Sequence, residues 1–197
     1  MIKNKRDLRY YLSQDKTALF KAYSRPKPFQ DEVWRFQILL RKCEYAENCL
    51  KGPIYKPYKL FLKLRFHKLS LKLGFSIPLN VFEEGLSIAH YGTIVVNGNA
   101  RIGKNCRIQE DVNIGSTDGS TMAPEIGNDV FIGTGAKIIG DIVLADGIAI
   151  GAGAVVTKSF SEEGITIAGV PAKKISDNGS KNFICSKLRE GAVNEKG

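Results

Sequence analysis

The chain has few of the residues that metal and disulfide chemistry require. It holds two histidines, His67 and His90, and four cysteines, Cys43, Cys49, Cys106 and Cys185, none in CxxC spacing. Free, buried thiols are expected, and neither a zinc site nor a disulfide framework is. There is no run of 18 apolar residues to cross a membrane. No apolar stretch follows the opening Met1-Ile2-Lys3-Asn4-Lys5, so no secretory signal is read there and a cytoplasmic location is expected. Acidic residues are scarce early in the chain. Residues 1–80 carry 18 Lys and Arg against 6 Asp and Glu, a net +12, whereas the remainder is net −3. Basic character this local argues for a local electrostatic role and against a general nucleic-acid binder.

What the chain does have is a period of six. At Val96, Ile102, Ile108, Ile114, Ser120, Ile126, Ile132, Ile138, Leu144, Ile150 and Val156, ten of eleven positions are Val, Ile or Leu, where average composition gives about a quarter. Neither a helix nor a hairpin sheet has this period, so a repeat architecture is indicated. A second register, four residues on, is small or apolar except at Asp118 and Pro124, which flank Ser120. Both registers fail together, so residues 115–125 should leave the repeat as an exposed loop. Glycines directly follow several aliphatic positions (Gly103, Gly127, Gly133, Gly151), where the chain would turn sharply. Short strands and turns, three to a coil of 18 residues, would stack into a triangular prism with a dry interior that needs caps at its ends.

Before the repeat, residues 5–24 read as a helix broken by Arg25-Pro26-Lys27-Pro28. A second amphipathic segment runs from Gln30 to Cys49 and ends at Gly52-Pro53. Residues 57–73 place Leu62, Phe66, Leu69 and Leu73 on one face, with Lys56, Lys59, Lys63, Arg65, Lys68 and Lys72 around them. This basic amphipathic helix either packs on the protein with a solvated charged face or touches an anionic membrane surface. Three regions follow: an N-terminal helical region (1–76), a β-helix domain (77–176) and a C-terminal tail (177–197).

The set of motifs Ile88-Ala-His90-Tyr-Gly-Thr-Ile-Val-Val96, the hexads, Ile150-Gly-Ala-Gly-Ala-Val-Val-Thr-Lys158 and Ala168-Gly-Val-Pro171-Ala resembles the hexapeptide-repeat acyltransferases, over about residues 74–176. The nearest branch looks like serine acetyltransferase and its relatives that acetylate sugars. The resemblance implies a mainly β fold, a left-handed parallel β-helix with an N-terminal α-helical region, although crossovers are otherwise right-handed. It also implies a homotrimer with active sites between neighbouring prisms, and acetyl-CoA as cosubstrate with no metal. A γ-class carbonic anhydrase shares the prism but needs three zinc-binding histidines, which this chain lacks.

On that resemblance His90 is the catalytic general base. A hydroxyl must lose its proton as its oxygen attacks a thioester carbonyl, and imidazole, with an ordinary pKa of about 6.5, suits the task. The phase of His90, six residues before Val96, would also allow an inward, core position. His67 reads as a surface or packing residue. For acetyl-CoA the resemblance points to Thr134, Gly135, Ala152, Thr157 and Lys158. The small residues would let the pantetheine arm lie along the coils, and Lys158 would pair with a phosphate. Three positions depart from the serine acetyltransferase pattern. Ala89 stands where the family has an acid before its histidine, Phe75 where it has an orienting aspartate, and Ala123 where it has a loop histidine. Glu83, Glu84, Glu110 and Asp111 are the remaining acids that could orient His90. These departures lead us to expect an acetyl-CoA-dependent O-acetyltransferase acting on a sugar or polysaccharide hydroxyl. Serine O-acetyltransferase is the alternative and amino-sugar N-acetyltransferase the third. A non-catalytic trimeric scaffold is the reading from another class.

Overall fold

Six residues are one side of a triangular coil: a short strand and the turn that follows it. The structure is a computed structural model describing residues 1–117, 119 and 121–185. Expectations that fall on Asp118, Ser120 and residues 186–197 lie outside the described residues. The first wall of the prism stacks β1 (Phe75–Ser76), β3 (Ile94–Val96), β6 (Val112–Gly115), β9 (Lys137–Ile139) and β12 (Val155–Val156) in parallel. The second stacks β2 (Ser87–Ile88), β5 (Arg107–Ile108), β8 (Phe131–Ile132), β11 (Ala149–Ile150) and β13 (Thr166–Ala168), closed by an antiparallel β14 (Lys173–Ser176). The third holds β4 (Arg101–Ile102), β7 (Glu125–Ile126) and β10 (Val143–Leu144). The architecture is the expected left-handed parallel β-helix with N-terminal helices.

The hexad positions form the core because each strand repeats the register of the one before. Ile88, Ile108, Ile132, Ile150 and Ile167 stack directly on one another in the second wall, all buried. Ile132 and Ile150 are one regular coil apart, whereas Ile114 stacks on Ile138, because the chain between β6 and β7 is longer by one hexad. In that loop Gly119, Thr121 and Met122 are exposed as expected, but Ala123 and Pro124 are buried, and Ala123 belongs to the prism core. The cysteines are free; Cys43, Cys106 and Cys185 are buried and Cys49 is half-buried. Burial alone pushes the Cys106 thiol up to about 12.

Three helices cap the first coil: α1 (Lys5–Ala18), α2 (Glu32–Cys49) and α3 (Lys56–Leu73). Asn4 caps α1, its side chain accepting from the N–H groups of Arg6 and Asp7 at 2.8 and 2.9 Å. The first helix ends at Ala18, short of the expected residue 24, because Phe20 takes φ +56° and its N–H closes onto the Thr17 carbonyl. The chain then folds back onto Asp31. β1 pairs with β3, so the first rung begins at Phe75, two residues before the boundary read from the repeat. Phe36 and Leu40 of α2 share one core with the prism. Arg41, fully buried, joins α1, α2 and the first coil. It donates to Asp15 at 2.8 and 3.2 Å, to Glu44 at 3.0 Å, and to the carbonyls of Phe82 and Glu83 at 2.8 and 2.6 Å. α3 departs from a one-faced amphipathic helix. Leu62 and Leu73 are buried, with Phe66 and Leu69 half-buried beside them, but Leu60, Leu64 and Leu71 are exposed on the opposite side. His67 is exposed on α3, as expected of a surface residue. Among the described residues no helix is long and apolar enough to cross a membrane.

Candidate active site

Because the second and first walls are in register, the turns that join them stack along one edge of the prism. Successive rungs put residues 89–93, 109–111, 133–135 and 151–153 there. The turn that carries His90 lies one rung from Glu110, with Gly92 the turn residue packed against it, and Thr134 and Ala152 follow on the next two rungs. His90 is exposed, which excludes the inward, core placement. Backbone bonds tie the rungs together: the Gly135 N–H donates to the Glu110 carbonyl at 3.0 Å and the Gly153 N–H to the Thr134 carbonyl at 2.8 Å. A Cβ on Gly133 would come within 2.8 Å of the Ala152 nitrogen and the Ile150 carbonyl oxygen, so only glycine fits. Thr134 and Ala152 are exposed along this edge.

Of the four acids considered for orienting His90, three are engaged elsewhere. Glu83 takes the N-terminal ammonium at 2.9 Å and the Tyr11 hydroxyl. Glu84 pairs with Lys104 at 3.0 Å, and Asp111 with Lys137 at 3.6 Å. Glu110 differs. Its Oε1 accepts from the Thr134 hydroxyl at 3.1 Å, while its Oε2 is shielded from solvent with no hydrogen-bond partner. Its stem lies against Gly92, where a Cβ would approach the Glu110 Cβ to 3.0 Å and where φ is +139°. Glycine at 92 thus lets the carboxylate tuck beneath the His90 turn.

On its outer side His90 faces a cleft of about 310 Å³ that Ala89, Tyr91, Arg107, Phe20, Lys21 and Asp31 help to line. Asp31 organises this wall, accepting from Lys21 at 2.6 Å, from the Tyr23 hydroxyl at 2.6 and 2.8 Å, and from the Lys27 N–H at 2.7 Å. Burial alone would raise its pKa, but these donors hold the carboxyl down at about 2. The remaining predicted residues are not on this edge. Thr157 and Lys158 are exposed just past β12, at the far side of the first wall, roughly 13 Å along an extended chain from Gly153. The Lys158 ammonium lies over the Phe160 ring, 5.3 Å from its centroid. Sequence reasoning passed over the distinction of Glu110, because an unpaired oxygen is a property of packing. Its position two residues past the hexad isoleucine, matching His90 past Ile88, was the signal available.

Residues 123–158 match the family described as bacterial transferase hexapeptide (six repeats). The serine acetyltransferase of Buchnera aphidicola (Acyrthosiphon pisum) is 34% identical over 115 residues, 57% of this chain and 42% of the relative. That of Escherichia coli K12 is 40% identical over 98 residues, 49% of this chain and 36% of the relative. The matched region thus spans about two fifths of these relatives' length. Among solved structures, the serine acetyltransferase of Brucella abortus superposes with a TM-score of 0.67 at 27% identity, covering 90% of this chain and 72% of that one. The same protein in complex with coenzyme A gives 0.64 at 29% identity, covering 88% and 68%.

These likenesses overturn the expectation of a sugar or polysaccharide acceptor, since the named relatives and structural neighbours are serine acetyltransferases. The structure explains why two of the three departures misled. Phe75 is buried in the core, edge-to-face with Phe36 at 4.9 Å, and Ala123 is likewise a core residue. Their side chains serve packing, so the missing family groups at those positions say little about the acceptor.

Proposed function

We propose that the protein is an acetyl-CoA-dependent serine O-acetyltransferase, with His90 as general base. The observation that carries this reading is that successive turns of one prism edge bring together exposed His90, Thr134 and Ala152 with half-buried Glu110 and Gly135 between them. The small residues of this edge, Gly133, Gly135 and Ala152, leave room for a thin pantetheine arm along the coils, and the thioester arrives already activated, so no covalent acyl-enzyme is needed. The acceptor hydroxyl gives its proton to His90 as its oxygen attacks the acetyl carbonyl. The C–O bond forms, the C–S bond breaks, and the imidazolium returns its proton to the departing sulfur. A backbone N–H of the wall serves the developing oxyanion. Glu110, whose Oε2 has no hydrogen-bond partner and whose stem packs against Gly92 of the His90 turn, is the positioning residue for the imidazole when substrate is bound.

Thr157 and Lys158 lie a wall's width from His90 in the same chain. They serve the nucleotide end of acetyl-CoA from a neighbouring copy in a homotrimer, with Lys158 on a phosphate. The test is coenzyme A thiol release with L-serine and, separately, a panel of mono- and oligosaccharides. Serine-dependent release is expected. Release with sugars alone, or none with either, overturns the assignment.

A further inference from the structure

The second large concavity lies away from the prism, and with it lies the least explained surface of the molecule. α3 carries six Lys and Arg and no acidic residue. Its outer side bears Leu60, Leu64 and Leu71, 58%, 59% and 70% exposed, with Phe61 and Ile54 nearby at 53% and 81%. At about 100° per residue, Lys56 and Lys63 flank this leucine stripe on one side and Arg65, Lys68 and Lys72 on the other. The latter three continue into a groove of about 560 Å³ between α2 and α3, whose floor includes Leu39 and Leu69. Arg35 and Lys42 also line the groove, and Glu32 is its one carboxylate. Phe29 stands at the rim, 92% exposed.

We propose that this outer face of α3, with the adjoining groove, docks on an anionic bilayer surface. A hydrocarbon stripe between two rows of flexible cations matches the boundary between acyl chains and headgroups, where leucines insert and lysines reach back to phosphates. The charge is complementary to such a surface and is concentrated in residues 1–80, at net +12. A second copy of the chain is a poorer occupant. A two-fold contact would set the same cations against each other, with Glu32 as the acid of the groove and Glu47 already paired to Lys59 and Lys63 at 3.8 and 3.2 Å. A polyanion without an apolar phase would leave the leucines in water.

The test is co-sedimentation of the full chain with phosphatidylcholine vesicles, with and without phosphatidylglycerol. Binding is expected only to the anionic vesicles and should fall with added salt. Lys68→Gln and Lys72→Gln should each weaken it about fivefold. The pair Leu60→Ser and Leu64→Ser should weaken it while leaving its salt dependence in place. All four side chains are exposed, so the fold should persist, as circular dichroism would check. Absence of binding at low salt, equal binding to neutral vesicles, or indifference to these substitutions overturns the proposal. So does concentration-dependent self-association, seen by sedimentation velocity, that Leu64→Glu abolishes, because a second copy would then own the face. None of these outcomes depends on the acetyl-transfer reading.

Discussion

Two edges of the prism are built by the same backbone device and finished in opposite ways. Where the third wall turns into the second, Asn105 and Asp129 adopt φ +59° and +54°, and the turn residues bond to each other. Asn105 donates to Asp129 at 2.9 Å, and Asn128 accepts from the Lys104 N–H at 2.9 Å. Asn128 also donates from its backbone and side chain to Asp146 at 2.6 and 3.0 Å. Where the second wall turns into the first, Gly135 and Gly153 take the left-handed positions, at φ +73° and +66°. There Glu110 keeps a shielded oxygen without a partner and His90 stands in solvent. Buried polar groups are normally satisfied, and exceptions need a reason. One edge closes on itself and holds the coils together. The other leaves a shielded carboxylate oxygen unpaired and an imidazole exposed.

The sharpest way to break this contrast is His90→Ala. Acetyl transfer should fall by about 10²–10⁴ with thermal stability unchanged; full coenzyme A release by the variant would remove His90 from the chemistry. Next comes the closed edge. Asn128→Ala strips partners from the Lys104 N–H and Asp146, and should cost about 1–3 kcal/mol in chemical denaturation without altering turnover. A loss of activity at unchanged stability would erase the distinction between the edges. Glu110→Gln should lower kcat about tenfold and change the shape of its pH profile while leaving stability intact, since it neutralises a carboxylate that is poorly paired. A purely structural Glu110 would instead lower stability and leave the pH profile alone.

The smallest effect concerns the cleft wall. The Asp31 carboxyl is held down at about 2, below its unfolded value, so its contribution is fully present above about pH 4 and lost as pH falls toward 2. Asp31→Asn should therefore lower stability at neutral pH, and the gap from the parent chain should close on acidification.

Much of this was legible beforehand. The hexad isoleucines named the core in advance, since a dry interior admits only such residues at that period. The loop expected at 115–125 announced itself by breaking both registers at once, although Gly115 stays in β6, Glu125 opens β7, and Ala123 and Pro124 are buried. The three helices were readable from their apolar spacing, but their limits and outward faces were not. Phe20 ends α1 by a left-handed turn that no propensity requires, and the spacing of the buried stripe of α3 does not reveal the second, exposed stripe of Leu60, Leu64 and Leu71. The acceptor was misread because Phe75 and Ala123 were compared with a motif as though they faced the cleft, when both pack inward.

By itself, then, the sequence determined the prism: a period of six with aliphatic side chains can be buried in no other way, and His90 was the one histidine on it. Tertiary structure alone decided how the edges differ. Whether a carboxylate is closed by a neighbour, as at Asp146, or left open, as at Glu110, depends on which turn lies one rung away, and that neighbour is 18 or more residues distant along the chain.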